Sequence, residues 1–185
     1  MERARTDPDA FAELYRRYVD RVHAYARRRT GSCEAAEEIT SATFEKALRG
    51  LHRFRWGPGG VGPWLFRIAA NELTDHHRRQ GRRRGDRRQR AVDRLADRVA
   101  FDDLETVENA DRVMQLRIAL DGLNPRYQRA LSLRHLAGLD HHDAARAMGL
   151  SPKVMAVLVH RATAALAKQM EILDQEQQGG RDGRA

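Results

Sequence analysis

The side chains best suited to chemistry in this 185-residue sequence are two histidine pairs, one cysteine and one pair of acids. They are His76-His77, His141-His142 followed by Asp143, Cys33, and Glu37-Glu38. Imidazole, thiolate and carboxylate are the ligands of zinc and its relatives. Adjacent histidines on a helix, however, point about 100° apart and seldom share an ion, and Cys33 has no second thiol to work with. Asp143 follows Asp140 by three residues, where an acid favours the start of a helix. The sequence shows no phosphate-cradling glycine loop, nucleophile elbow or carboxylate pair in a catalytic setting. No catalytic residue, metal or cofactor is therefore expected, and the chain is not expected to be an enzyme.

Charge suggests a different chemistry. The net charge is +8 and the isoelectric point lies near 10.5, which points to a polyanionic partner, most commonly nucleic acid. Arg78 to Arg90 holds eight arginines and one acid, Asp86. Asp93 to Asp111 then holds seven acids and two arginines, so the basic block meets an acidic one and marks a boundary. Charged residues make up 32% and aromatics only 6%, which favours small helical units over one large core. No apolar run approaches the roughly 20 residues of a membrane span. Met1 to Asp9 has no apolar stretch that would mark it for export, and the lone Cys33 suits a reducing cytoplasm.

The elements that must carry these residues are helical throughout. Asp7-Pro8 opens a first helix with Phe11, Leu14, Tyr15, Tyr18, Val22 and Tyr25 at helical spacing, closed by Gly31. Ser32 caps a second, with Ala36, Ile39, Thr43, Phe44, Ala47 and Leu48 on one side and Gly50 at its end. A loop from Trp56 to Pro63, with four glycines and two prolines, leads to a third helix through Trp64, Leu65, Ile68, Ala69 and Leu73. Gly81 to Glu108 has few large apolar residues and is read as a mobile linker, with a turn of helix near Val92 to Val99. Helical spacing returns at Val113, Leu116, Leu120 and Leu123; Asn124-Pro125 opens a helix that ends at Gly138. Asp140 caps a short helix, Gly149-Leu150-Ser151 forms a turn, and Ser151-Pro152 starts a long last helix toward Leu173. A short helix, a glycine turn and a second helix form the helix-turn-helix pattern.

Several stretches, in this order, resemble the extracytoplasmic-function (ECF) group of bacterial sigma factors in the sigma-70 superfamily. In the first half they are residues 10–15, Ala36-Glu37-Glu38-Ile39, residues 43–48, residues 64–69, Asn71 and residues 75–79. In the second half they are Leu120, Leu123, Pro125-Arg126, Leu133-Arg134, Gly138-Leu139, Met148-Gly149 and Arg161-Ala162. The resemblance implies an all-α protein of two small helical domains. A region 2 bundle (1–80) and a region 4 helix-turn-helix (109–174) are joined by a flexible linker (81–108) and followed by a disordered tail (175–185).

The resemblance also implies roles. Glu37, Glu38, Phe44 and Leu48 would dock on the core of RNA polymerase, an acidic rim fixing orientation. Ser41 and Ala42 replace polar residues usual in the family, so that surface is reduced. Trp64, Arg67, Asn71, His76, Arg78 and Arg79 would handle the −10 element, Asn71 meeting the edge of a base turned out of the stack. Trp64 also suits plain core packing beside Leu65 and Ile68. Arg82 to Arg90 would form a nonspecific DNA arm with strong salt dependence, and the acidic linker would thread toward the polymerase active site. Ser151, Lys153, His160 and Arg161 would contact the −35 element. Here the chain departs from the family, because Val154, Ala156, Val157 and Leu158 stand where hydrogen-bonding side chains are usual. Three readings of that helix stay open: shape-based −35 recognition, contact with a protein partner, or burial.

The expected function is that of a cytoplasmic sigma factor, directing core RNA polymerase to promoter DNA and assisting its opening, with an anti-sigma protein as a further partner. The alternative is a free-standing helix-turn-helix regulator that binds an operator as a dimer. That alternative leaves the first half without a role.

Overall fold

The computed structural model describes residues 8–83 and 107–182, and every regular element among them is helical. Helix α1, Pro8–Thr30, starts on the proline, whose fixed φ suits a first turn. It ends where Gly31 returns its N–H to the Arg27 carbonyl at 2.8 Å. Ser32 Oγ then accepts the Ala35 N–H at 3.2 Å and starts α2, Cys33–Gly50. A 3₁₀ turn, Leu51–Arg53, and the glycine loop lead into α3, Gly62–Arg83.

These three helices enclose a core of Leu14, Val22 and Tyr25 from α1, Ile39, Phe44 and Ala47 from α2, and Leu65, Phe66, Ala69 and Leu73 from α3. The Tyr25 and Phe66 rings meet edge to face with centroids 5.7 Å apart, a favoured aromatic geometry.

The second half is built from shorter helices with marked ends. Helix α4, Val107–Asp121, turns through Gly122 and Leu123 into α5, Pro125–Leu131. Asn124 Oδ1 accepts the Tyr127 N–H at 3.0 Å and caps α5. A π-helical turn, Ser132–Leu136, continues α5, and the Ala137 N–H donates to the Ser132 carbonyl at 2.9 Å. Helix α6, His141–Met148, is capped by Asp140, whose carboxylate accepts the Asp143 N–H at 2.7 Å. Gly149, at φ 68°, takes the left-handed conformation that ends α6 and makes the tight turn of the motif.

Helix α7 runs from Pro152 to Asp182. It continues past residue 175, where the sequence suggests a disordered tail. Residues 168–178 are mostly Lys, Gln, Met, Glu and Leu, all strong helix formers, and they prolong the helix.

The scarcity of large apolar residues in 81–108 suggests that the halves sit loosely. In the structure they are packed together. The hydrophobic core of the first half continues into Leu133, Ala137, Ala144, Ala145 and Met155 of the second. Helix α3 lies against α6, and α1 against the π turn. Alanines on both sides, Ala69 and Ala70 facing the core from α3 and Ala144 and Ala145 from α6, allow a close approach.

Polar groups pin the same seam. Arg29 of α1, only 2% exposed, donates to Asp121 Oδ1 at 2.9 Å and to Gln128 Oε1 at 3.0 Å. Arg28 donates to the Leu136 carbonyl at 3.0 Å, and Arg117 Nε to the Arg28 carbonyl at 3.1 Å. The proposed DNA arm beyond Arg83, the acidic linker and the turn near Val92 to Val99 lie outside the described residues. No helix among the described residues is long and apolar enough to cross a membrane.

Candidate nucleic-acid interface

Asn71, Ile68 and Trp64 are spaced by three and four residues, so α3 presents them on one face. They line a concavity of about 540 Å³ closed by Lys46 and Gly50 from α2 and by Arg53. Asn71 itself is exposed, leaving its amide free to donate and accept. Trp64 does two things. It packs against Phe54 with centroids 4.9 Å apart, and its edge contributes a wall of the concavity.

Lys46 and Arg53 bring positive charge, which Glu72 and Asp75 partly balance; Glu72 is buried and bonds to Lys46 Nζ. The sequence pattern singled out neither basic residue, because their nearness to Asn71 arises only when α2 packs on α3.

The second half also reaches this site. Arg129 lines the same concavity and donates to the Arg67 carbonyl at 3.4 Å. Burial holds its pKa below the ordinary arginine value, with neighbouring Tyr25 acting the other way. Tyr25 is pushed up to about 12 by burial, against the pull of Arg29 and Arg129, so its hydroxyl stays neutral. The glycine loop does not line the concavity; it meets α6. A Cβ on Gly59, whose φ is +94°, would come within 2.4 Å of the Asp143 carboxylate, so only glycine fits that contact.

The residues expected to follow Asn71 divide. Arg67, Arg78 and Arg79 are exposed; Arg78 pairs with Asp75 at 3.1 Å, and Arg79 with Glu38 at 3.1 Å. His76 is a correction: at 7% exposed it is tucked between helices, its Nδ1 3.7 Å from Glu38, too deep to reach a phosphate.

The acidic pair on α2 is split in the same way. Glu37 faces solvent, while Glu38 is engaged by the end of α3. Phe44 is a second correction, because it is 4% exposed and packs on Tyr15 with centroids 4.7 Å apart. It supports the α2 surface from beneath and cannot itself touch a partner. Leu48, 56% exposed, can.

On α7, Ser151 caps the helix through the Val154 N–H at 3.3 Å, and Lys153, His160 and Arg161 are exposed. His141 Nε2 lies 2.8 Å from the Pro152 carbonyl and ties the two helices of the motif across the turn. Of the four apolar positions, only Leu158 is buried, whereas Val154, Ala156 and Val157 face outward. Burial therefore accounts for one of the four. Val154, Val157 and Leu158 border a second concavity, of about 440 Å³, shared with Asn124, Arg126 and Tyr127 of the α5 start and with Lys153 and Arg161.

The histidine pairs diverge, their ring planes at 81° and 88°. Among the described residues no three metal-ligating side chains converge.

Comparison with known proteins follows this division. Residues 14–83 match the family described as Sigma-70 region 2, and residues 114–166 the family described as Sigma-70, region 4. The chain is 34% identical, over 91% of its length, to the ECF RNA polymerase sigma factor BldN of Streptomyces coelicolor. It is 32% identical, over 80%, to the ECF RNA polymerase sigma factor SigE of Mycolicibacterium smegmatis. It spans only 63% and 57% of the lengths of those two relatives. The fold is shared with CnrH in its complex with the cytosolic domain of CnrY, at a TM-score of 0.64 and 22% identity, covering 91% of this chain and 92% of CnrH.

Proposed function

The chain belongs to the sigma-70 family, in its ECF group, and from that premise we propose that it directs bacterial core RNA polymerase to specific promoters and helps open them. The observation that carries this reading is the Asn71 concavity. It offers an exposed amide, an aromatic wall and flanking basic side chains on the half of the chain matched by region 2. Such a site suits an unstacked base, whose edge needs a group that donates and accepts and whose backbone needs positive charge. Arg67, Arg78 and Arg79 extend the positive strip along α3.

Glu37 and Leu48 form the core of the polymerase-docking surface, with Glu38 joining when Arg79 turns to DNA. Ser151, Lys153, His160 and Arg161 position α7 on the −35 duplex, chiefly through phosphate. The work is placed in the cytoplasm, where polymerase is. A protein of the kind bound to CnrH is the natural regulator, since Arg129 and α6 already sit against the Asn71 concavity and the glycine loop in the packed arrangement.

The test is transcription in vitro with the purified chain, bacterial core polymerase and fragmented host genome, reading RNA 5′ ends. Discrete start sites that need the chain and share an upstream motif are expected. Their absence, with sequence-specific binding of duplex DNA by the chain alone, would establish the free-standing regulator instead. On such a promoter, Asn71→Ala should lower opening by about tenfold, the worth of one or two hydrogen bonds, and leave polymerase binding unchanged. Equal loss of both would make Asn71 a structural residue.

A further inference from the structure

The exposed valines of α7 are not explained by phosphate contact. Val154 and Val157 are 45% and 47% exposed although they sit on the outer helix of the helix-turn-helix, where polar readers are expected. They are three residues apart, so their side chains share one face about 5–6 Å apart. Lys153 and Arg161 flank them on α7, and Arg126 projects from the start of α5 across the same concavity. The sequence from Ala144 to Met170 contains no acid at all. An apolar pair whose charged neighbours in the concavity are all cations is complementary to a polyanion that presents an apolar group between its phosphates.

Duplex DNA has one such group. The C5-methyl of thymine projects into the major groove, and apolar side chains are its usual contact. We propose that Val154 and Val157 read thymine methyl groups in the −35 element, held in register by Lys153, Arg161 and Arg126 on the neighbouring phosphates. The −35 sequence is thus recognised by shape and methyl burial, without side-chain hydrogen bonds to base edges. This inference rests on the sigma-factor reading above and specifies what that reading leaves open. An acidic protein segment would satisfy the cations too. The outer position of α7 in the motif, its start fixed by the Gly149 turn and the His141 bridge, favours the groove.

Replacing thymine by deoxyuridine removes the methyl and nothing else from the base edge. Holoenzyme assembled with the full chain is tested on a promoter found by start-site sequencing, with −35 thymines replaced one at a time. Burial of one methyl is worth about fourfold in affinity, so the sensitive positions should lose about fourfold each in open-complex formation. The Val154→Ala and Val157→Ala double variant changes only exposed side chains and should fold. It should bind thymine and deoxyuridine templates equally and weakly. Equal use of both templates by the unchanged protein overturns the proposal. So does a methyl effect that persists in the double variant, since the methyl would then act through DNA shape alone. Unaltered transcription by the double variant on every template would assign the face to a protein partner. If no chain-dependent start sites exist, the sigma-factor reading fails before this question arises.

Discussion

The two halves are stabilised in different ways. Among the described residues the first is three long helices around a continuous core with Tyr25, Phe44 and Phe66 in it. Among the described residues the second has four helices, two of them under nine residues, and a cluster of its own that contains only Leu120, Leu123, Leu131 and Ala162 as buried members. Most of its other buried apolar residues, Leu133, Ala144, Ala145 and Met155 among them, belong to the core of the first half. The short helices compensate with caps, Asn124 on α5 and Asp140 on α6, each closing on a backbone N–H. A body that borrows its core from a neighbour depends on that neighbour for its stability.

The difference is largest at two buried side chains. Phe66→Ala removes a fully buried ring from the first half, and about 3–5 kcal/mol of stability should go with it. Thermal unfolding should show the whole chain affected, because the second half loses its support. Leu133→Ala should cost about 2–5 kcal/mol, with a different distribution. Hydrogen exchange should quicken in α4 to α7 while α1 to α3 keep their protection. Uniform loss of protection in both variants would mean that the halves fold as one unit, and the contrast drawn above would be wrong.

Arg29 sharpens the comparison at the seam itself. Its guanidinium is buried while its partner Asp121 is about half exposed, so the pair is anchored from the first half. Arg29→Met keeps the aliphatic bulk but removes the bonds to Asp121 and Gln128. Hydrogen bonds to a charged group are worth about 1.5–3 kcal/mol, which should loosen docking and leave each half folded. Small-angle scattering should report a larger radius of gyration, and the Asn71 concavity, freed of Arg129, should take single-stranded −10 DNA more readily. An unchanged radius would place the holding force in the alanine-lined core instead.

Features set by near neighbours in sequence were legible. Pro8, Ser32, Asn124-Pro125, Asp140, Gly149 and Ser151 mark helix ends where the structure has them, because a cap is decided within four residues. The helix-turn-helix and the position of Asn71 followed from the same punctuation and from family resemblance. What the pattern missed depends on packing across helices. Phe44 sits on the side of α2 read as a docking face, yet Tyr15 of α1 covers it. His76 lies in a run of polar residues and is buried because α2 passes over it and presents Glu38. Arg129 carries no mark in sequence of its place beside Asn71, 58 residues away, nor could the docking of the halves be foreseen from a connecting segment with few large apolar residues.

The smallest effect tests whether a cap in the second half is felt beyond its own helix. Asp140 has its pKa held below the ordinary 3.8, first by the hydrogen bond from the Asp143 N–H and then by that from His142, with the charges of His142 and Arg146 adding to them. A group depressed on folding contributes stability above its unfolded pKa and loses it as pH falls through the folded one. The Asp140 contribution is thus complete at neutral pH and fades below about pH 4. Asn is also a good cap and does not titrate. Asp140→Asn should therefore differ from the parent protein at neutral pH, and the gap in melting temperature should close as the solution is acidified through that range. If α6 is held mainly by its packing on α3, the gap will be confined to hydrogen exchange within α6 and absent from the global melt. A gap in the global melt would mean that the second half transmits its local stability to the first, so that the borrowing runs in both directions.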